Sequence, residues 1–79
     1  MKFDEIYFLF LIADKDSSQS VRDIINSDSC NIHHKRCWYL LNKWVNKGFY
    51  EYGVTLDLGW LTDKGVKFVE ELRGKENKV

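Results

Sequence analysis

The sequence predicts one α+β, mainly helical domain of 79 residues, in which three helices precede a β-hairpin and a fourth helix follows it. Three observations predict this order. An apolar repeat with helical spacing ends at a glycine in mid-chain, two β-prone stretches flank Gly53, and a threonine-capped apolar repeat comes last. Because so short a chain buries only about 60–65% of its unfolded surface, we expect a small core and no deep pocket.

Composition and charge exclude several classes of protein. Hydrophobic residues are 44% of the chain, and 12 Lys and Arg balance 12 Asp and Glu. Zero net charge excludes a protein that coats nucleic acid through an overall basic surface. The longest apolar run, Ile6–Ala13, is far shorter than the ~20 residues of a membrane-spanning helix. Two cysteines make no disulfide framework, so we expect a cytoplasmic protein with reduced thiols.

The first two helices are predicted from apolar runs and a cap. Phe3–Ala13 is almost continuously apolar, and Asp4 and Glu5 would lie at the positive end of its dipole. A helix that is apolar on nearly all sides must be covered, so we expect a central position or a partner subunit. Ser20 and Asp23 match a capping box at the start of a short second helix.

The third helix has the clearest pattern. Apolar residues follow the i, i+3, i+4, i+7 spacing of one helix face at Cys37, Leu40, Leu41 and Trp44. Gly48 then supplies a left-handed stop. Two residues could cap the start of this helix, which leaves that boundary open; they are Asn31 and His33.

The last third of the chain predicts a hairpin and a final helix. Its strands are expected over Phe49–Tyr52 and Thr55–Leu61, which are rich in β-branched and aromatic residues. Thr62 would cap the last helix, and Gly74 would end it. The resulting organisation is a domain over residues 1–74 and a flexible tail over 75–79.

Three stretches carry a family resemblance. They are Ile-His-His-Lys-Arg-Cys-Trp-Tyr-Leu-Leu at 32–41, Leu-Leu-Asn-Lys-Trp-Val-Asn-Lys-Gly-Phe at 40–49, and Leu-Thr-Asp-Lys-Gly at 61–65. With the order of elements, residues 3–73 resemble a winged helix-turn-helix domain of the small MarR-like and PadR-like bacterial or viral regulators. The resemblance implies a transcriptional regulator that acts as a homodimer on double-stranded DNA. Helix 32–47 would be its recognition helix, and the hairpin would be its wing.

Charge placement agrees with that implication. Four of the 12 cations and none of the acids lie between Ser29 and Tyr50. Arg and Lys bind guanine edges or phosphates, and Asn binds adenine edges. The candidate DNA-binding residues are His34, Lys35, Arg36, Tyr39, Asn42 and Lys43. This hypothesis requires the cations to be exposed and free of neighbouring carboxylates, and it predicts that Arg36→Ala relaxes specificity at one base pair.

The hairpin departs from the resemblance and favours an alternative. It has no Lys or Arg and contains Glu51 and Asp57, which phosphates would repel. The alternative is a protein-interaction module, such as an adaptor or an inhibitor encoded by a virus or mobile element. Its aromatic surface would comprise Trp38, Tyr39, Tyr50, Tyr52 and Trp60. The first helix and the Phe68 and Leu72 face of the last could be dimer surfaces or could complete the core.

Metal binding and catalysis are less favoured. Cys30, His33, His34 and Cys37 have zinc-ligand residue types, but Cys37 belongs to the apolar repeat, which favours a core cysteine and no cofactor. No third group can be placed beside a nucleophile and base, and no glycine-rich phosphate loop is present. We therefore expect no enzyme.

Overall fold

The computed structural model describes residues 2–28 and 30–76, with the side chains of 75 and 76 left aside. Over these residues the protein is α+β and mainly helical, and its four helices and two-stranded antiparallel hairpin are compatible with a winged-helix layout. The elements are α1 (Phe3–Ala13), α2 (Val21–Ile25), α3 (His34–Lys47), β1 (Tyr50–Tyr52), a 3-10 turn (Leu56–Leu58), β2 (Gly59–Leu61) and α4 (Asp63–Glu76). Not one of the described helices combines the length and apolarity needed to cross a membrane.

The predicted cap of α2 and the predicted end of α3 are confirmed, and the start of α3, which the sequence left open between Asn31 and His33, lies at His34 rather than at residue 32. Ser20 Oγ accepts from the Asp23 N–H at 3.1 Å, and the Asp23 carboxylate accepts from the Ser20 N–H at 3.0 Å. His33 is the cap of α3, since its Nδ1 accepts from the Lys35 N–H at 3.2 Å. Gly48 ends α3 with a φ of 81°, a left-handed conformation that side chains disfavour.

The core is built around α3. Its predicted inner face is confirmed, because all four apolar residues of the repeat are fully buried. They meet Phe8, Leu9 and Ile12 of α1, and the rings of Phe8 and Trp44 lie 5.5 Å apart. However, α1 is not enclosed on all sides, since Phe3 is 85% exposed.

The hairpin is shorter than predicted. Residues 55–58 are not strand, because the chain turns inward there and places Leu56 in the core. The buried Tyr50 hydroxyl fixes this turn: it donates to the Leu56 carbonyl at 2.6 Å and accepts from the Gly59 N–H at 3.0 Å. Tyr50 pairs with Leu61 across the two strands. Side-chain burial therefore overrides the β propensity of this stretch.

The Thr62 hydroxyl joins the end of α3 to the start of α4. It donates to the Gly48 carbonyl at 2.6 Å and accepts from the Gly65 N–H at 3.0 Å, which confirms Thr62 as the cap. A Cβ on Gly65 would overlap the Phe49 carbonyl oxygen, so this close approach requires glycine.

The predicted end of α4 at Gly74 is wrong, because the helix continues to Glu76. Gly74 keeps helical geometry, since Gly48 is the glycine with positive φ among the described residues. A glycine in helical conformation costs about 1 kcal/mol relative to alanine but does not stop a helix. Of the predicted tail, residues 77–79 lie outside the described residues.

Candidate recognition surface on the third helix

The side of α3 opposite the core forms an exposed face. We define the outward face of α3 as His34, Lys35, Trp38, Tyr39, Asn42 and Asn46, all of which are exposed. Trp38 and Tyr39 are 39% and 57% exposed. No Asp or Glu belongs to α3, so this face combines a cation with amide, phenol, imidazole and indole groups.

Arg36, a predicted base-contacting residue, is paired with a carboxylate of α1. Its Nε and Nη2 donate to Asp4 Oδ2 and Oδ1 at 3.0 and 3.4 Å. The hydrogen bond from Arg36 holds the pKa of Asp4 below its usual value. The guanidinium also lies 5.4 Å from the centre of the Tyr39 ring. Arg36 therefore lies at the edge of the outward face, turned toward α1.

Lys43, the predicted phosphate contact, is also paired with α1. Its Nζ donates to Glu5 Oε1 at 3.1 Å, and the Trp44 indole N–H donates to Glu5 Oε2 at the same distance. Glu5 is only 2% exposed, and each of its carboxylate oxygens has a donor from α3. Glu5 is therefore a buried link between the two helices rather than an exposed residue at a helix dipole.

These pairs correct the expectation of four free cations on α3. Two of them, Arg36 and Lys43, have carboxylate partners that the sequence interpretation had assigned to the helix dipole. In the part of the chain that the structure describes, no carboxylate lies within 4.0 Å of the Lys35 or Lys47 ammonium. The free positive charge on α3 is thus half of what the sequence suggested.

The acids of the hairpin differ in their exposure. Glu51 is exposed and accepts from the Trp60 indole N–H at 3.1 Å. Asp57 is buried at 6% exposure, where it accepts from Arg22 at 2.7 and 3.3 Å and from the Thr55 hydroxyl at 2.7 Å. The hydrogen bond from Arg22 lowers the pKa of Asp57. The expectation that Asp57 would face phosphates is therefore wrong.

The predicted aromatic surface is only partly exposed. Four of its five residues are open to solvent, namely Trp38, Tyr39, Tyr52 and Trp60. Tyr50 is 1% exposed and belongs to the core, where burial raises its pKa to about 12. Val54 at the hairpin tip adds exposed apolar surface, at 84% exposure.

The four potential zinc ligands do not form one cluster, although the thiols of Cys30 and Cys37 lie close together. Among the described residues, no three His, Cys, Asp or Glu side chains form a group that could hold a metal ion. The His33 ring caps α3, and Cys37 is fully buried with its thiol 3.8 Å from the Ile32 carbonyl oxygen. Burial, with the Cys30 thiol nearby, raises the pKa of Cys37 to about 12. Cys37 is thus an inert core thiol.

Comparison with protein-family models, with curated proteins and with solved structures finds no match for this chain. The geometry of α3 and its surroundings therefore carries the functional interpretation. Sequence reasoning missed Asp4 and Glu5 as partners of α3, because 32 and 38 residues separate them from Arg36 and Lys43.

Proposed function

We propose that the protein is a winged helix-turn-helix DNA-binding protein, and that it regulates transcription by inserting the outward face of α3 into the major groove. One observation carries the proposal: a 14-residue helix, anchored by its buried inner face, presents hydrogen-bonding side chains and no carboxylate to solvent. An α-helix fits the major groove, where such side chains can contact base edges.

The ion pairs of Arg36 and Lys43 change which residues of α3 would contact DNA. Lys35 and Lys47 are the phosphate contacts, and Asn42 and Tyr39 lie between them along the helix to reach base edges. Asn42 Nδ2 donates to the Trp38 carbonyl at 3.1 Å in the free protein, and this weak local bond would be exchanged for one to a base. Arg36 and Lys43 instead hold α3 against α1.

The reduced number of free cations on α3 predicts how steeply the affinity for DNA falls with salt concentration. Each neutralised phosphate contributes about −0.9 to the slope of log K against log salt concentration. Two free cations per chain therefore predict a slope near −2 for one subunit. Because affinity from two contacts is low, we further propose a homodimer on a palindromic site, which would double the slope and raise the affinity.

The test is selection of duplexes from a random-sequence library, followed by titration of the selected site between about 50 and 200 mM salt. Lys35→Ala should weaken binding and make the slope shallower by about one, and Asn42→Ala should relax specificity at one base pair. Lys67→Ala is the matched control, since it removes the same charge from an exposed position on α4. Equal weakening by Lys35→Ala and Lys67→Ala, or no enriched duplex, would contradict the proposal.

A second candidate function is protein recognition through the same face. It is favoured by the withdrawal of Arg36 and Lys43 into ion pairs beside the exposed Trp38 and Tyr39, since aromatic residues are enriched and charges depleted at the centres of protein interfaces. Binding of peptides selected from a random library should then persist at high salt. Tyr39→Ala should weaken it more than Lys35→Ala, and the reverse order would exclude this candidate.

A further inference from the structure

The two cysteines of the chain lie together at the start of α3. Cys37 is fully buried in the first turn of the helix, and Cys30, in the segment before it, is half-buried and packs against the same core. The two thiols are close enough to interact. Proximity of the two sulfur atoms is the first geometric requirement of a disulfide. Because the sequence contains two cysteines in all, neither has another cysteine to pair with inside one chain.

The backbone on either side of this contact is held by hydrogen bonds. The Cys30 N–H donates to the Ser27 carbonyl at 3.2 Å, and the Cys37 N–H donates to the His33 carbonyl at 3.0 Å. The Cys37 thiol lies 3.8 Å from the Ile32 carbonyl oxygen, so it faces the segment that carries Cys30. A bond between the two sulfurs would replace this weak thiol contact and leave the backbone hydrogen bonds in place.

The two thiols differ in their access to solvent. Cys30 is half-buried, so a small oxidant in solution can reach its sulfur. Cys37 is 0% exposed, and burial raises its pKa, which keeps it a neutral thiol at neutral pH. Reagents in solution therefore react first at Cys30, and Cys37 can react only with a sulfur that lies beside it.

We propose that Cys30 and Cys37 form a reversible disulfide when the protein meets a peroxide, and that this bond fastens the segment before α3 to the first turn of the helix. The Cys30 thiolate attacks one oxygen of hydrogen peroxide, the O–O bond breaks, and a sulfenic acid and one water form. The Cys37 sulfur then attacks the Cys30 sulfur, the S–O bond breaks, and a second water leaves with the Cys37 proton. Two thiols thus lose two electrons to one peroxide, and exchange with a dithiol reverses the step.

The bond would restrain the start of the outward face of α3. His33, whose ring caps the helix, lies between the two cysteines, and His34 and Lys35 of the outward face follow it directly. Local opening of this turn separates Cys30 from Cys37, which a covalent bond between them prevents. Oxidation would therefore stiffen the beginning of the outward face, and reduction would release it. The inference is independent of what α3 binds.

The test is peroxide treatment of the folded wild-type chain, followed by acid quenching, digestion with trypsin and mass spectrometry. Trypsin cleaves at Lys35 and Arg36, between the two cysteines. The two cysteine peptides should be recovered joined, about 2 Da below their summed mass because two hydrogen atoms are lost. Dithiothreitol should separate them. Because Cys37 is a poor nucleophile while it is protonated, the bond should form over minutes to hours rather than seconds.

Two variants distinguish the roles of the two thiols. Cys37→Ala keeps a small apolar side chain in the core but removes the second thiol, so Cys30 should persist as a sulfenic acid that dimedone captures. Cys30→Ala should leave Cys37 unmodified by the same treatment. In the wild type, hydrogen exchange of the Lys35 and Cys37 amides, which both donate to His33, should slow several-fold on oxidation. In Cys30→Ala the exchange of these amides should not change.

Several results would overturn the proposal. One is a disulfide between two copies of the chain in place of the internal link. Another is modification of Cys37 in Cys30→Ala as fast as in the wild type, which would show that Cys37 is reached directly. Oxidation of wild-type Cys30 beyond the sulfenic acid with no linked peptides, or loss of the far-ultraviolet circular dichroism spectrum as the link forms, would do the same.

Discussion

Two buried carboxylates, Glu5 and Asp57, join elements of this fold, and the donors that they hold differ in their exposure to solvent. Glu5 lies between α1 and α3, and its partners Lys43 and Trp44 both belong to α3. Asp57 lies in the turn before β2, where Arg22 of α2 is its cationic partner. The Trp44 indole is fully buried, whereas the Arg22 side chain is 51% exposed. Arg22, the cationic partner of Asp57, can therefore turn to water, but the Trp44 N–H cannot.

This difference separates a rigid junction from an adjustable one. At the junction of α1 and α3, loss of the carboxylate leaves the buried Trp44 N–H unsatisfied, which costs more than the net strength of its hydrogen bond. At the hairpin, solvent can replace a lost partner. The outward face of α3 is thus held more firmly than the hairpin, which on the proposed function would lower the cost of ordering it on binding.

The largest effect is expected at Glu5. Glu5→Ala should lower the free energy of unfolding by about 3 kcal/mol, because it leaves the Lys43 ammonium and the buried Trp44 N–H without their acceptor. Urea denaturation followed by far-ultraviolet circular dichroism measures this change. Glu5→Gln keeps one acceptor and should lose about half as much. A loss below about 0.5 kcal/mol for Glu5→Ala would remove the distinction between the two junctions.

Tyr50 is expected to come next. Tyr50→Phe removes one donor and one acceptor, leaves the Leu56 carbonyl and the Gly59 N–H unpaired, and should cost about 2 kcal/mol. Because burial raises the pKa of Tyr50 from 10.0 to about 12, the folded protein retains the phenolic proton that the unfolded chain releases. Stability should therefore fall as the pH rises from about 10 to about 12, and the fall should be smaller in Tyr50→Phe. An identical fall in both proteins would contradict this role.

Asp57 should show a smaller loss. Asp57→Asn keeps a side chain of the same size but weakens the contact with the half-exposed Arg22, so we expect about 1 kcal/mol in urea denaturation. Arg22 lowers the pKa of Asp57, so the unfolded chain binds this proton first as the pH falls. The wild type should lose stability as the pH falls below about 4, and Asp57→Asn should lose less over that range. A loss as large as that of Glu5→Ala would show that the hairpin junction is equally rigid.

The smallest change in stability is expected at Asp4. Its pair with Arg36 is partly exposed to solvent, so Asp4→Asn should change the urea midpoint less than the three substitutions above. On the proposed function, however, the change frees the Arg36 guanidinium and removes a carboxylate beside the outward face of α3. Affinity for the selected duplex should rise, and the salt slope should steepen by about one. Unchanged affinity and slope would show that Arg36 lies out of reach of the DNA backbone.

What the sequence could predict is governed by local rules. The inner face of α3 follows from helical spacing, and Ser20, His33, Gly48 and Thr62 act within a few residues of their own positions. Each of these features depends on hydrogen bonds or packing between near neighbours in the chain, which pattern reasoning captures.

What the sequence could not predict depends on contacts between distant residues. Asp4 and Glu5 satisfy a local rule for acids at a helix start, and that rule conceals their pairing with residues more than 30 positions away. Asp57 likewise lies in a stretch whose composition is typical of a solvent-facing turn. Its carboxylate instead pairs with Arg22, which lies 35 positions earlier in the chain. The sequence therefore predicted which side of α3 faces solvent, but it did not predict that two of the four cations of this helix are paired with carboxylates.

The hydroxyl of Thr62 has a consequence for how this chain can vary. By bonding both the Gly48 carbonyl and the Gly65 amide, it closes residues 49–64 into a loop whose ends are fastened independently of its tip. Extra residues inserted between Gly53 and Val54, both exposed, would lengthen the hairpin without altering how the helices on either side of it, α3 and α4, pack together. The tip is accordingly a natural grafting point, at which new contacts can be acquired while the scaffold stays the same.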